Sequence, residues 1–330
     1  MYKQMLVPLD GSRLAENALI YGVQVATKLN LDITLLHVYK PDELEFVPSR
    51  QSYIERAVDL VQNQLEEIQK DAGAQMKSRS LEVQCKLAKG HPAEQILGYA
   101  EENQIDLILI GTHGRSGISR WAMGSVADKV LRGSSVPIWL VRAGLPKDLF
   151  GDKRPVKSIL VPLDGSELAE SVLPHVEVLA KQRDTEQVDV VLLSVCKIPL
   201  VADYYLSYIP LNWDDHARRC RREAEGYLAI IERRLKDSGL KVRSEVVVAY
   251  PQEAGPADKI VDYSNSILCD LIVMSTHGHS GLIRWAFGSV ADRVLHGASR
   301  PILLVRSTVT AAEAHVSTQA TQASTAIHAG

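Results

Sequence analysis

The chain has 330 residues, enough for two domains that each bury a core, and a formal net charge of −3 at pH 7. This balance argues against a nucleic-acid-binding protein, which usually carries a concentrated basic surface. No apolar run approaches the roughly 18 residues of a membrane span, and Met1–Pro8 lacks a signal-peptide core. Four cysteines without a C-x-x-C pair suit a reducing compartment. We therefore expect a cytoplasmic protein without nucleic-acid or membrane partners.

Short β-branched runs alternate with helical patterns along the first half of the chain. Strands are predicted at residues 3–9, 31–39, 80–88, 105–110 and 137–142, and helices at 13–29, 50–73, 91–103 and 124–133. This alternation implies right-handed crossovers and a parallel sheet covered by helices on both faces. We expect Pro8 at the carboxyl end of a central strand, where a missing N–H donor matters less than in the middle of a strand.

The second half of the chain repeats the first. The segment V-P-L-D-G-S at 7–12 returns unchanged at 161–166, and about two-thirds of the positions in 111–142 recur in 275–306. Repetition on this scale predicts two tandem domains. We expect these domains at 1–143 and 157–306, a linker at 144–156 and a disordered tail at 307–330, where large apolar residues almost disappear.

A long glycine-rich pattern follows the fourth predicted strand of each repeat. The first copy reads G-T-H-G-R-S-G from Gly111 and ends in G-S-V at 124–126; the second reads S-T-H-G-H-S-G from Ser275 and ends in G-S-V at 288–290. Glycines allow backbone N–H groups to approach a phosphate, and the amides at a helix N-terminus favour negative charge. The pattern therefore predicts a nucleotide phosphate site, which the chain contains twice.

Further candidate residues lie where the predicted strands end, because ligands of open parallel sheets bind at the carboxyl ends of the strands. Asp10 and Asp164 end the first strand of each repeat; a carboxylate repels phosphate, so ribose hydroxyls or an adenine donor are the expected partners. Helix capping is the alternative role for Asp10. Val38 and Val195 close the second strand, where main-chain groups are placed to meet an adenine edge. For His113 a hydrogen bond within the loop is favoured over phosphoryl transfer.

These motifs resemble the universal stress protein family in its tandem, ATP-binding form. The family's pattern G-x2-G-x9-G-[S/T] is matched by Gly111, Gly114, Gly124 and Ser125, and the start V-P-x-D-G-S is matched in both repeats. The resemblance implies an α/β fold of two Rossmann-like, adenine nucleotide alpha hydrolase-like domains with five parallel strands each. It also implies ATP with Mg²⁺ as the ligand, with ADP or AMP as alternatives. The nucleotide-contacting residues that follow are Asp10, Val38, Gly111, Gly114, Gly124, Ser125 and Val126, and in the second repeat Asp164, Val195, Ser275, Gly278, Gly288, Ser289 and Val290.

The second repeat departs from the family pattern at one position, where Ser275 replaces the first glycine. If this position needs a positive φ or a close approach to phosphate, a Cβ there costs about 1 kcal/mol or more. If it needs only a small residue, Ser275 is tolerated.

Three functions fit the motifs: a nucleotide-dependent regulatory protein, a weak ATPase or autokinase, and a structural or chaperone-like module that works without nucleotide. The chain has no G-x4-G-K-[S/T] motif, no kinase motif set and no carboxylate pair placed for Mg²⁺. We therefore favour the regulator, with no catalytic residue and no metal held by the protein, and expect an unidentified protein partner.

Two further expectations concern surfaces. Because the family's dimers pair through the last strand, we expect 136–141 and 300–305 to pair within the chain as a pseudo-dimer; a homodimer of whole chains is left open. The segments 40–52 and 197–213 follow the second strands and differ most between the repeats. We interpret them as a lid or partner surface, with ordinary packing as the alternative.

Overall fold

A computed structural model of the chain describes residues 2–41, 46–72, 80–112, 123–142, 156–181, 187–198, 213–276 and 287–306. The strands of the first half are β1 (Gln4–Leu9), β2 (Asp32–Tyr39), β3 (Val83–Lys89), β4 (Leu107–Gly111) and β5 (Ile138–Val141). Those of the second half are β6 (Ser158–Pro162), β7 (Asp189–Lys197), β8 (Lys241–Ala249), β9 (Leu271–Ser275) and β10 (Ile302–Val305).

Helices connect these strands. In the first half they are α1 (Arg13–Leu29), α2 (Val47–Ala72), α3 (Pro92–Glu102) and α4 (Ser125–Gly133). In the second half they are α5 (Glu167–Glu170), α6 (Leu173–Ala180), α7 (Trp213–Asp237), α8 (Pro256–Ser266) and α9 (Ser289–Gly297). Within the described residues, no helix is both long enough and apolar enough to cross a membrane.

The strands form a single sheet in the order β3-β2-β1-β4-β5-β10-β9-β6-β7-β8. Pairing is parallel throughout each half, and β5 and β10 meet in the antiparallel sense. Buried apolar side chains cover both faces: Met5 and Ile33 belong to one core cluster, Leu6 and Leu36 to the other. This confirms the predicted α/β fold with parallel strands in each domain and helices on both faces.

The sequence pattern located every element of the first half to within three residues at each end. Pro8 lies one residue before the end of β1, which is central between β2 and β4, as predicted. Pro92 occupies the first position of α3, where its missing N–H is not needed.

The second half differs from the first in its opening helix. Where α1 is continuous for 17 residues, α5 ends at Glu170 and α6 begins at Leu173. Pro174 explains the break, because proline has no N–H to donate to the carbonyl four residues earlier, and its ring clashes with that carbonyl.

The two halves meet through the sheet and through side chains. Leu303 of β10 lies opposite Trp139 of β5, and Trp139 is completely buried. At a separate contact, the Tyr2 hydroxyl lies 2.5 Å from Nδ1 of His175 in α6. The two halves therefore share one continuous core.

Candidate functional site

A cavity of about 480 Å³ opens where β1, β2 and β4 end. Ligand pockets typically have volumes of roughly 300–1,000 Å³, so this cavity is of ordinary size for a small molecule. Its lining includes six of the seven residues predicted for the first site, namely Asp10, Val38, Gly111, Gly124, Ser125 and Val126. The seventh, Gly114, lies outside the described residues, as does His113.

The turn after β1 brings Asp10 to the cavity. Gly11 adopts a φ of 80°, a left-handed conformation that favours glycine. The turn is closed by the Ser12 N–H, which donates to Oδ1 of Asp10 at 3.0 Å. The Ser12 hydroxyl in turn accepts from the Ala15 N–H at 3.2 Å and caps α1. The capping role considered for Asp10 is therefore wrong: Asp10 supports the residue that caps.

The end of β2 exposes a main-chain edge at Val38. The last pair between β1 and β2 joins Leu9 to His37, so β2 extends beyond its neighbour. The Tyr39 carbonyl accepts from the Gly90 N–H on the β3 side. Because successive residues of a strand direct their main-chain groups to opposite sides, those of Val38 point to the β1 side. The Val38 N–H faces the Leu9 carbonyl, and the Val38 carbonyl points past the end of β1.

Beside Val38, the buried His37 connects three parts of the cavity wall. Its Nδ1 lies 2.7 Å from the Leu9 carbonyl, and its Nε2 lies 2.9 Å from an Arg50 nitrogen. An arginine can only donate and a carbonyl can only accept, so the imidazole carries its proton on Nδ1 and is neutral. His37 thus fixes the end of β1 and the start of α2 relative to each other.

The N-terminus of α4 forms the opposite wall. Gly124 is the N-cap residue, and no side chain caps the helix, so the first-turn amides are left to other partners. The Gly124 N–H donates to the Thr112 carbonyl at 2.6 Å, which holds the helix start against the end of β4. Gly124, Ser125, Val126 and Ala127 line the cavity, so the positive end of the helix dipole faces it.

The backbone geometry at Gly111 shows whether a serine can occupy the equivalent position, 275, in the second repeat. Gly111 does not adopt a positive φ, and a Cβ there would meet the flexible Leu14 side chain at 3.2 Å. Ser275 is the buried last residue of β9, in an ordinary strand. The backbone therefore does not exclude a Cβ here, and of the two interpretations, a requirement for a small residue agrees with the geometry.

Sequence reasoning missed several residues of the lining. Lys40 and Arg50 bring two positive charges to the cavity, and His37 and Thr112 complete its wall. Lys40 and Arg50 belong to the segment 40–52. The difference between the repeats in this segment was the sequence feature that could have indicated these two residues. The contact between His37 and Arg50 depends on the packing of α2 over β2, which periodicity does not specify.

The second half repeats the main-chain frame of the site. The Gly288 N–H donates to the Thr276 carbonyl at 2.9 Å, and α9 begins at Ser289 with Gly288 as its N-cap. The Ser166 N–H donates to Oδ1 of Asp164 at 3.1 Å, as Ser12 does to Asp10. Val195 lies near the end of β7, and Val290 in the first turn of α9. Gly278 lies outside the described residues.

The side chains around the second site differ from those around the first. Ser194 stands where the first half has His37. The Tyr227 hydroxyl donates to Glu170 at 3.1 Å, and burial together with the negative charges of Glu170 and Asp164 raises the Tyr227 pKa. Among the described residues, no group of three or more His, Cys, Asp or Glu side chains is placed to hold a metal ion.

Comparison with known proteins shows to which family this chain belongs. The profile of the universal stress protein family matches residues 1–142 and again 155–306. The chain belongs to the universal stress protein family.

Relatives of this universal stress protein include single-domain and tandem proteins. Universal stress protein YxiE of Bacillus subtilis is 30% identical over 152 residues, covering 43% of this chain and 100% of that protein. Universal stress protein Rv2005c of Mycobacterium tuberculosis is 25% identical over 314 residues, covering 92% of this chain and 96% of that one.

Solved structures share the fold. A universal stress protein from Archaeoglobus fulgidus is 19% identical, with a TM-score of 0.56 over 92% of this chain and 96% of its own. A protein of unknown function from Pseudomonas aeruginosa is 18% identical, with a TM-score of 0.59 and 92% coverage of both chains. At this level of identity, the likeness supports the fold alone.

Proposed function

We propose that this universal stress protein is an adenine-nucleotide-binding regulator whose ligand is ATP. The observation that carries the proposal is the first cavity, which combines an apolar wall, an exposed main-chain edge, a carboxylate and a helix N-terminus. The apolar wall and the main-chain edge suit the base, the carboxylate suits the ribose hydroxyls, and the helix N-terminus suits the phosphates. A cavity shaped only by a tight turn would not combine all four.

In this proposal, the apolar wall formed by Leu36, Pro92 and Ile96 receives the adenine ring. The Val38 carbonyl accepts from the edge of the base, because it points past the end of β1. Asp10 accepts from ribose hydroxyls, a role that keeps its negative charge away from phosphate.

The phosphates would lie at the start of α4. There the first-turn amides donate to phosphate oxygens, and the helix dipole favours the negative charge. The positive charges of Lys40 and Arg50 add to this attraction from the other side of the cavity. Mg²⁺ would be held mainly by the phosphates. It would lower their charge, which would help a cavity whose described lining carries two cations to bind a triphosphate.

We extend the proposal to the second domain, with Asp164, Val195, Ser275, Gly278, Gly288, Ser289 and Val290 in the matching roles. The repeated hydrogen bonds of Gly288 and Ser166 support this extension, as does the strand geometry at Ser275. We also propose the domain limits 1–143 and 157–306, and that the two domains act as a pseudo-dimer joined at β5 and β10.

Regulation is favoured over catalysis by the chemistry of the described lining. Phosphoryl transfer needs a positioned nucleophile or water and cations that neutralise the leaving group. The cations at the first cavity are Lys40 and Arg50, and Arg50 is already engaged by His37. We therefore propose that ATP changes the conformation or partner binding of a cytoplasmic protein, and that hydrolysis is slow or absent.

The test is a calorimetric titration of the full chain with ATP and Mg²⁺. Gly124→Asp places a carboxylate among the α4 amides and should abolish binding at the first site. Gly98→Asp is the matched control: it adds the same charge in α3, at a position with open space around it, and should bind like the native chain. Equal binding by Gly124→Asp and the native chain would reject this cavity as the site. Rapid release of inorganic phosphate would favour the ATPase alternative.

A further inference from the structure

Helix α4 extends from the first cavity to the second domain. Its N-cap Gly124 lines the cavity, and its last turn contains Arg132. The Arg132 guanidinium lies 5.1 Å from the ring centroid of Phe287, within the range of a cation–π contact. Phe287 directly precedes Gly288, the N-cap of α9, so this contact joins the end of one domain's helix to the start of the other's.

The antiparallel junction of the sheet explains this contact. Because β5 and β10 run in opposite directions, the amino end of β5 lies beside the carboxyl end of β10. Helix α4 leads back to the amino end of β5 and therefore ends beside the start of α9.

Two further interactions hold the end of α4 in place. Nε of Arg132 lies 3.0 Å from both carboxylate oxygens of Asp128, one turn earlier. From the second domain, Arg306 donates to the carbonyls of Arg132 at 3.3 Å and Ser134 at 3.1 Å. The guanidinium is thus oriented by its own helix, while its backbone is tied to the partner domain.

The contact has no equivalent in the reverse direction. In the repeat, His296 of α9 takes the place of Arg132, and Met123 takes the place of Phe287. Nδ1 of His296 lies 2.7 Å from the Asp292 carbonyl of its own helix, and a methionine offers no aromatic face to a cation. The first domain therefore supports the start of α9 in a way that the second domain cannot return to α4.

We propose that Arg132 is a positioning residue for the second nucleotide site, acting through Phe287 on the helix start at Gly288 and Ser289. This inference rests on the proposed function, because it assumes that the second domain binds nucleotide. The Gly288 N–H reaches the Thr276 carbonyl at 2.9 Å, so a shift of Phe287 moves the amides that would meet phosphate. Affinity at the second site then depends on a residue of the first domain.

The experiment measures the second site alone. It uses the full chain carrying Gly124→Asp, which removes the first site. Gly124 has φ −65° and ψ 144°, which any residue can adopt, and aspartate is a favourable N-cap, so α4 is retained. Titration with ATP and Mg²⁺ in this background should show that Arg132→Ala raises Kd about two- to fivefold, the size expected from an exposed cation–π contact.

Matched variants separate positioning from general damage. Lys129→Gln removes the same charge from an exposed position of the same helix and should leave Kd unchanged. Arg132→Lys should recover part of the loss, because an ammonium also binds an aromatic face. Phe287→Leu should weaken binding as Arg132→Ala does, and the double variant should be no weaker than either single variant.

Each outcome decides between the possibilities. The inference is overturned if Arg132→Ala leaves Kd unchanged, or if the losses of Arg132→Ala and Phe287→Leu add independently. It is also overturned if the native chain binds one nucleotide that Gly124→Asp abolishes, in which case the proposed function still holds for the first domain. If neither site of the native chain binds nucleotide, both the inference and the proposed function are wrong.

Discussion

At the scale of single residues, His37 does most to shape the proposed site. Its two ring nitrogens have partners of opposite kinds, the carbonyl of Leu9 and the guanidinium of Arg50. The bond to Leu9 is buried and the bond to Arg50 is partly buried, so water cannot replace the Leu9 carbonyl without rearrangement. The end of β1, which orients Asp10, and the start of α2 therefore depend on one imidazole.

Replacing this imidazole should cost stability. His37→Leu leaves the Leu9 carbonyl without this partner, and we expect the free energy of unfolding to fall by about 1–3 kcal/mol. Urea denaturation followed by circular dichroism measures the loss. His91→Leu is the control, since His91 is exposed and its side chain makes no capping hydrogen bond. A loss no larger than that of the control would show that the two bonds contribute nothing net.

Two glycines of the site should differ in their tolerance of a methyl group. Gly11 has a φ of 80°, so Gly11→Ala should destabilise the fold by about 1–2 kcal/mol. Gly111 has no positive φ, and the tight contacts of a Cβ there would be with the flexible Leu14 side chain, so Gly111→Ala should cost less than about 1 kcal/mol. Thermal unfolding of the two variants side by side tests this order. The reverse order would mean that Ser275 is a genuine defect of the second site.

At the scale of elements, the N-terminus of α4 is the part that the proposal uses most directly. Its first-turn amides have no partner within the helix, and Gly124 offers no side chain to cap them. A phosphate bound there would supply the missing acceptors. Helix α9 likewise has a glycine, Gly288, as its N-cap and no side chain that caps its first-turn amides.

Hydrogen exchange should detect the binding of phosphate by the first-turn amides of α4. On addition of ATP and Mg²⁺, the amides of Ser125, Val126 and Ala127 should exchange more slowly, because they donate to phosphate oxygens. Amides in the last turn of α3, around Glu101, do not line the cavity and serve as the reference. Unchanged exchange at α4, measured with nucleotide bound, would place the phosphates elsewhere.

The elements themselves could be predicted well from the sequence, and the reasons are local. Glycine at 11, proline at 92 and the apolar runs of the strands act within a few residues, so they fix starts and ends without tertiary information. The glycine pattern, together with Asp10 and Val38, likewise marked the ends of the strands that form the cavity. Contacts set by packing escaped prediction: the bond from His37 to Arg50 needs α2 laid over β2, and the contact of Arg132 with Phe287 needs the junction of β5 with β10.

At the scale of the whole molecule, the two domains are joined by more than one kind of contact. The sheet continues through β5 and β10, and Tyr2 of the first domain meets His175 of the second. Burial lowers the pKa of His175 to about 4, so this histidine is neutral in the folded protein near pH 7. The domain junction therefore contains a histidine that is protonated more readily in the unfolded chain than in the folded protein.

This difference predicts a pH dependence of stability. The pKa of His175 is about 6.5 in the unfolded chain and about 4 in the folded one. The stability that depends on the neutral imidazole is therefore fully present above pH 6.5 and is lost as the pH falls toward 4. The loss is at most about 3 kcal/mol. Denaturation of the native chain and of His175→Gln at pH 4.5, 5.5 and 7.5 tests it, with a shallower slope expected in the variant. Identical slopes would exclude His175 as a source of acid sensitivity.

The most direct test of nucleotide binding is the nucleotide content of the purified protein. The protein is denatured, and the released nucleotides are identified by chromatography and counted per chain. We expect about two ATP per native chain, and about one in each of Gly124→Asp and Gly288→Asp. No nucleotide in the native chain, together with no heat on titration with ATP and Mg²⁺, would contradict it.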